Sequence, residues 1–185
     1  PGFLGILLVY MVMTSAYSIR LKKYAIADVL LLAALYTLRV FAGAIAIDVT
    51  VSYWLLTFSM FMFLSLALVK RCSELAMVTG TSGTAISGRG YSTSDLAHLE
   101  MMGISSGYIS ILIIALYIDN PTVTDLYSHP QVLWILCPAL LFWISRVWLK
   151  TARGEMHDDP LIYAIRDRGS HLTVLVCVLA VFLAI

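Results

Sequence analysis

Eleven of the twelve Lys and Arg residues fall in every second gap between six apolar stretches of this chain. The stretches run at about 1–18, 24–47, 52–69, 101–118, 132–149 and 168–185, each close to the roughly 20 residues that cross about 30 Å of hydrocarbon as a helix. Arg20, Lys22 and Lys23 follow the first stretch, and Lys70, Arg71 and Arg89 follow the third. Arg146, Lys150, Arg153, Arg166 and Arg168 surround the connection from fifth to sixth, while the two remaining gaps carry no basic residue. Basic loops stay on the cytoplasmic side of a membrane. Six consecutive crossings give this alternation, and one miscounted crossing would destroy it. The pattern predicts an all-α polytopic transmembrane helical bundle. Its three basic connections would face the cytoplasm, with the gaps near Asp48 and at 119–131 on the far side.

Composition agrees with that reading. Of 185 residues 61% are hydrophobic and 12% charged, against roughly 25% charged in soluble domains. Residues 1–185 therefore form a single transmembrane domain, with a cytoplasmic loop at 70–100 and a cytoplasmic acidic segment at 150–168. The net charge of +1 gives no basic field for nucleic acid. Cys72, Cys137 and Cys177 make no C-x-x-C pair, so neither a disulfide framework nor a zinc site is suggested. Thr79 to Asp95, with Gly80, Gly83, Gly88 and Gly90, reads as a mobile loop and lacks the Lys-Ser or Lys-Thr ending of a phosphate-cradling Walker loop. No internal repeat or heptad pattern is present. Pro1 leads straight into an apolar run with no basic n-region or cleavage site, so the chain is expected to be part of a longer one.

Two charges lie inside the second stretch. Asp28 and Arg39 are eleven positions apart, which returns to within about 20° of the same helix face and separates them by about 16 Å along the axis. They cannot pair with each other, and each needs a partner on another helix or in a hydrated cavity. Interhelical ion pairs and a functional role are both open for Asp28. An Arg inside a span costs a few kcal/mol, which favours function for Arg39 and predicts that Arg39→Gln abolishes activity without unfolding. In the third junction Lys70 and Glu74 have the i, i+4 spacing of a helical ion pair.

The segment Arg153-Gly154-Glu155-Met156-His157-Asp158-Asp159-Pro160 gathers acid at a basic membrane edge, where topology alone would not put it. Asp159 followed by Pro160 has the form of a helix N-cap with proline at the first helical position. Capping explains one carboxylate. If a helix runs on from Pro160, Asp159, Tyr163 and Asp167 share one face within about 80°, with the two carboxylates about 12 Å apart along the axis. That span suits a group the size of a magnesium diphosphate, and oxygen ligands without an ordered Cys or His set favour Mg²⁺ over zinc.

These residues resemble the UbiA superfamily of membrane prenyltransferases, nearest its decaprenyl-phosphate phosphoribosyltransferase-like branch. The resemblance covers almost the whole chain and rests on Tyr17-Ser18 with Leu21-Lys22, Leu38-Arg39-Val40 with Ala42-Gly43-Ala44, Lys70-Arg71 with Glu74-Leu75, and Asp159-Pro160 with Arg166-Asp167-Arg168. It implies a bundle of about nine helices whose cytoplasmic mouth binds Mg²⁺ and the diphosphate of a donor through two Asp-rich motifs. The first such motif is absent here and would lie in spans before Pro1. The second usually reads D-x-x-x-D, whereas Asp159 and Asp167 stand eight apart. Carried over, Asp159 and Asp167 would hold the metal, and Lys22, Arg39, Lys70 and Arg71 would contact donor phosphates. Tyr17 and Glu74 would shape the mouth, and Arg166 and Arg168 flank it. Lys22, Arg39 and Asp167 would take part in catalysis.

The expected activity is a Mg²⁺-dependent transfer that expels diphosphate. It would be either phosphoribosyl transfer to a polyprenyl phosphate or prenyl transfer to an aromatic or other small acceptor. Both belong to lipid and cell-envelope biosynthesis in a bacterial inner membrane, with a polyprenyl lipid and a diphosphate donor as partners. A small transporter or channel subunit using Asp28 and Arg39 is the alternative.

Overall fold

The computed structural model describes residues 2–50, 52–80, 89–124, 126–156 and 159–185, apart from the side chains of 2, 3, 79, 80, 122, 124 and 161. Among them are eight α-helices and no strand: α1 (Gly2–Ile19), α2 (Ala27–Ala46), α3 (Tyr53–Gly80), α4 (Leu96–Ile118), α5 (Pro121–Thr124), α6 (Leu136–Ala152), α7 (Pro160–Arg166) and α8 (Arg168–Ala184). Short 3₁₀ turns precede α2, α4 and α6. Four segments are long and apolar enough to cross a bilayer: Ala27–Ala46, Tyr53–Val78, Thr93–Ile118 and Pro130–Ala152. The apolar helices Leu4–Ile19 and Arg168–Ala184 are shorter. All six apolar stretches are thus helical, in an all-helical bundle suited to a membrane.

Successive long helices pack as neighbours from α1 to α8, and α3 also touches α6 and α7. Tight packing at the centre comes from small residues, as membrane bundles require when no water drives helices together. A Cβ on Gly103 of α4 would strike Trp148 of α6 and Leu68 of α3, and one on Gly107 would strike Ile144 and Ser65. The polar atoms in this core satisfy one another. Trp148 Nε1 donates to Ser65 Oγ at 3.0 Å, and that hydroxyl donates to the Gly103 carbonyl at 2.7 Å.

Two local devices shape the end of the bundle that carries the basic residues. Ile26, just before α2, has φ 65°, a left-handed conformation costly for a β-branched side chain. Its amide donates to the buried Tyr91 hydroxyl at 2.9 Å. Gly90 lies so close that a Cβ there would stand 2.8 Å from the Lys23 carbonyl. The chain at 89–91 is thereby tucked under the start of α2. At the end of α6, Gly154 takes φ 69°, and Gly154 N–H bonds Thr151 C=O while Glu155 N–H bonds Lys150 C=O, both at 3.0 Å. This Schellman closure turns the chain from α6 back toward α3, where Asp159 arrives.

Two sequence expectations change. Helix α3 runs ten residues past Lys70, so 71–80 of the expected cytoplasmic loop is helical, as is the part of it in α4. The helix expected to carry Asp159, Tyr163 and Asp167 on one face stops at Arg166, because Asp167 leaves helical geometry (φ −83°, ψ 125°) to begin α8. Residues 81–88 of the Gly-rich loop, and His157 and Asp158 of the acidic segment, lie outside the described residues.

Candidate functional site: a charged end of the bundle

Asp28 opens the first turn of α2 and is fully buried. Two other helices and the 89–91 segment converge on its carboxylate. Tyr17 of α1 donates its hydroxyl to Oδ1 at 2.7 Å. Arg71 of α3 sets Nε 2.8 Å from Oδ2, with its N–H off the line to the oxygen. Arg89 Nη1 donates to both oxygens, at 3.1 and 3.2 Å. Glu74, one turn beyond Arg71, pairs with Arg71 Nη1 and lies 3.7 Å from Arg89 Nε. Burial alone would lower the pKa of Arg89, but Tyr17, Asp28 and Glu74 more than reverse this, and it lies above its ordinary value. Two cations and two carboxylates thus close a neutral cluster, as burial of charge demands. This is the interhelical ion-pair reading of Asp28.

Lys70, one residue before Arg71, points elsewhere. Its Nζ meets Asp159 Oδ2 at 2.6 Å, so the sequence pairing of Lys70 with Glu74 is replaced: Glu74 goes to the arginines and Lys70 to the acidic segment. Lys70 and Asp159 border a cleft whose other walls, between α2 and α3, include Leu32, Tyr36, Phe63 and Leu66. Pro160 is the first residue of α7, and the Asp159 carbonyl accepts from Tyr163 N–H at 2.9 Å, the backbone arrangement expected of an Asp-Pro helix start.

Asp167 lies at the same end, as the N-cap of α8. Its Oδ2 accepts from Ser170 N–H at 2.9 Å and Ser170 Oγ at 3.2 Å. Its Oδ1 accepts from Arg146 Nη2 at 2.8 Å, with Lys150 Nζ at 3.8 Å. Burial pushes the Asp167 carboxyl up, but the Ser170 amide, Tyr163 and the Arg146 charge outweigh it and hold the group below the usual carboxylate range. Tyr163 is pushed up to about 12, by burial first and then by the Asp167 charge.

The structure therefore brings Tyr17, Arg71 and Glu74 together, puts Lys70 on Asp159, and gives Asp167 to α6. Arg39 stands apart from all of these. Its guanidinium lies over the rings of Tyr10 and Tyr36, 5.3 and 5.0 Å from their centroids, and its Nε donates to Tyr10 Oη at 2.9 Å. Asp28 and Arg39 nevertheless share a face as expected, since each reaches a tyrosine of α1. Lys22 is half-buried in the turn before α2 and has no ion-pair partner among the described residues, and Arg166 and Arg168 are exposed. Sequence reasoning missed Arg89, Arg146 and Lys150 as site residues, because it took them for topology charges. The i, i+4 spacing of Arg146 and Lys150, three residues beyond Trp143, is the signal that marks a shared polar face.

Whether these residues suit Mg²⁺ depends on the carboxylates. Both oxygens of Asp167 are engaged by Ser170 and Arg146. Asp159 borders the cleft with its Oδ2 on Lys70 Nζ. Among the described residues, no three His, Cys, Asp or Glu side chains group as a metal site. Asp159 would hold Mg²⁺ only together with substrate phosphates, a common arrangement for this ion.

No family model matches the chain. It is 39% identical over 163 residues to the uncharacterized protein y4nM of Sinorhizobium fredii, covering 88% of this chain and 32% of that protein. It is 32% identical over 176 residues to the nodulation protein NoeC of Azorhizobium caulinodans, covering 95% of this chain and 56% of NoeC. It is also 25% identical over 186 residues to decaprenyl-phosphate phosphoribosyltransferase of Mycobacterium tuberculosis, covering all of this chain and 59% of the enzyme. The chain spans between a third and three fifths of the length of these relatives. At the level of distant homology, it is related to a transferase.

Proposed function

We propose that this chain belongs to a UbiA-type membrane transferase. Its charged end would face the cytoplasm of a bacterial plasma membrane and bind a donor carrying diphosphate, from which it moves phosphoribosyl to a polyprenyl phosphate. The observation that carries the reading is similarity to decaprenyl-phosphate phosphoribosyltransferase along the whole chain. Lys70 and Asp159 stand at the mouth of a small cleft of about 30 Å³, on the same end as Lys22, which has no ion-pair partner among the described residues.

In this reading Lys70 and Lys22 neutralise the charge that collects on the departing diphosphate, the largest electrostatic demand of such a reaction. Asp159 would hold Mg²⁺ with the donor phosphates, and the ion would supply charge neutralisation of the leaving group. The bond from the sugar C1 to the diphosphate oxygen breaks with its electron pair leaving on diphosphate. A phosphate oxygen of the lipid acceptor forms the new bond to C1. The protein needs no nucleophile of its own. Buried Arg71, locked to Asp28 and Glu74, fixes α3 at this level so that Lys70 is held at the cleft.

The test is to reconstitute the intact protein in nanodiscs with Mg²⁺, polyprenyl phosphate and radiolabelled phosphoribosyl diphosphate. Label should enter the lipid with equimolar release of diphosphate, and EDTA should stop both. Label entering only from a prenyl diphosphate would move the assignment to the prenyl-transfer reaction. Metal-independent flux with no diphosphate released would replace the enzyme with a transporter.

A further inference from the structure

A second polar cluster lies apart from the Lys70 cleft and heads an apolar groove. Arg146 and Lys150 of α6, 31% and 27% exposed, share one carboxylate, Asp167, which is 9% exposed. Both cations are thus directed at a single carboxylate. Among the described residues the buried Arg146 Nε has no hydrogen-bond partner, while Nη2 donates to Asp167. Exposed Arg168 follows Asp167 directly and adds to the positive field.

Directly beside this cluster a groove of about 300 Å³ opens between α3, α6 and α8, lined by Met62, Leu140, Trp143, Val174, Cys177 and Val178 among others. Its volume lies at the lower end of the usual range for ligand sites. The junction between groove and cluster is a short relay: Trp143 Nε1 donates to Ser170 Oγ at 2.9 Å, and Ser170 Oγ donates to Asp167 Oδ2. The indole thus lends its apolar body to the groove and its N–H to the polar head, the usual behaviour of tryptophan at a membrane boundary. From Ser170 to Val178 the groove follows α8 for about 12 Å, away from the charged end and into the apolar length of the bundle.

A cationic head above an apolar channel is complementary to one kind of molecule, a lipid bearing a phosphate on a slender chain. We propose that this groove seats the chain of a polyprenyl monophosphate and that Arg146 and Lys150 bind its phosphate. The inference rests on the transferase reading in naming that lipid as the acceptor, and it separates an acceptor site at α6 and α8 from a donor site at Lys70. Asp167 then acts as a positioning residue, holding both cations at the head of the groove.

Binding of farnesyl phosphate to the intact protein in detergent tests the proposal, with farnesol, phosphatidylglycerol and inorganic phosphate as comparison probes. Farnesyl phosphate should bind best, and Arg146→Gln and Lys150→Gln should each weaken it about tenfold or more. Val174→Trp, which fills the groove without touching a charge, should weaken farnesyl phosphate and farnesol alike. Binding of phosphoribosyl diphosphate should be unchanged in all three variants, which also shows that they fold. Equal binding of farnesol and farnesyl phosphate by the wild type, equal binding of phosphatidylglycerol, or wild-type affinity in the Arg146 and Lys150 variants would each overturn the proposal. If farnesyl phosphate binds as expected but no donor releases diphosphate, the lipid site stands and the transferase reading alone fails.

Discussion

Arg71 and Asp28 meet with Nε 2.8 Å from Oδ2, both side chains closed to solvent, and so bind α3 to the first turn of α2. A buried pair of this kind is costly to break, since the survivor is left as an uncompensated charge. Asp28→Asn is expected to lower the unfolding free energy of the detergent-solubilised protein by about 3–5 kcal/mol. Arg71→Met alone should cost a similar amount, and the double variant clearly less than the sum, as read by a double-mutant cycle in thermal or denaturant unfolding. Additive losses would show that the two residues do not act as a pair.

Lys70 and Asp159 should behave in the opposite way. Their side chains are 40% and 26% exposed, and exposed ion pairs contribute about 0–1 kcal/mol. Lys70→Gln should leave the melting temperature nearly unchanged while reducing kcat/KM for the diphosphate donor by about 10- to 100-fold, the loss of one charge-assisted contact. Steady-state kinetics and a thermal melt on the same preparation check both halves.

Asp167 gives the fold an acid-sensitive joint between α6 and α8. Its folded pKa lies below the ordinary aspartate value of about 4, so it stabilises the fold fully above that value. The contribution fades as the pH falls through the lower folded pKa. Melting temperature should therefore drop more steeply as the pH falls below about 4 for the wild type than for Asp167→Asn. The two curves should converge at the acid end. Parallel curves would mean that Asp167 carries no linkage.

Arg39 lies with Tyr10 and Tyr36 and with none of the other candidate residues. Its stacked position is expected to pin α1 to α2. Arg39→Gln should lower stability by about 1 kcal/mol and leave turnover near wild type. Arg39→Lys should recover only part of the stability, because an ammonium does not reproduce the planar contact. Abolished turnover in a folded Arg39→Gln variant would return this residue to the site.

The bundle was legible in the sequence because a bilayer imposes one rule on every crossing. Apolar length and alternating basic gaps located six helices that the structure contains, and the shared face of Asp28 and Arg39 followed from helix geometry alone. Side-chain partnerships were not legible to the same degree. The pairing of Glu74 with Arg71 and Arg89, instead of Lys70, depends on how far α3 extends and on Gly90 and Tyr91 fitting beneath Ile26. These long-range contacts leave no local spacing. Asp167 was readable as an important acid but not as an N-cap, because nothing in the Pro160–Arg166 run announces that the helix breaks there. Arg146 and Lys150 were hidden because the loop-charge rule already accounted for basic residues there.

The proposed function requires the Lys70 end of the bundle to grip diphosphate. Its most direct test is equilibrium binding of inorganic diphosphate with Mg²⁺ to the intact protein. Lys70→Gln, Lys22→Gln and Asp159→Asn should each weaken binding about tenfold or more, while Arg39→Gln binds as the wild type does. Equal affinity across all four variants, or binding indifferent to Mg²⁺, would contradict it.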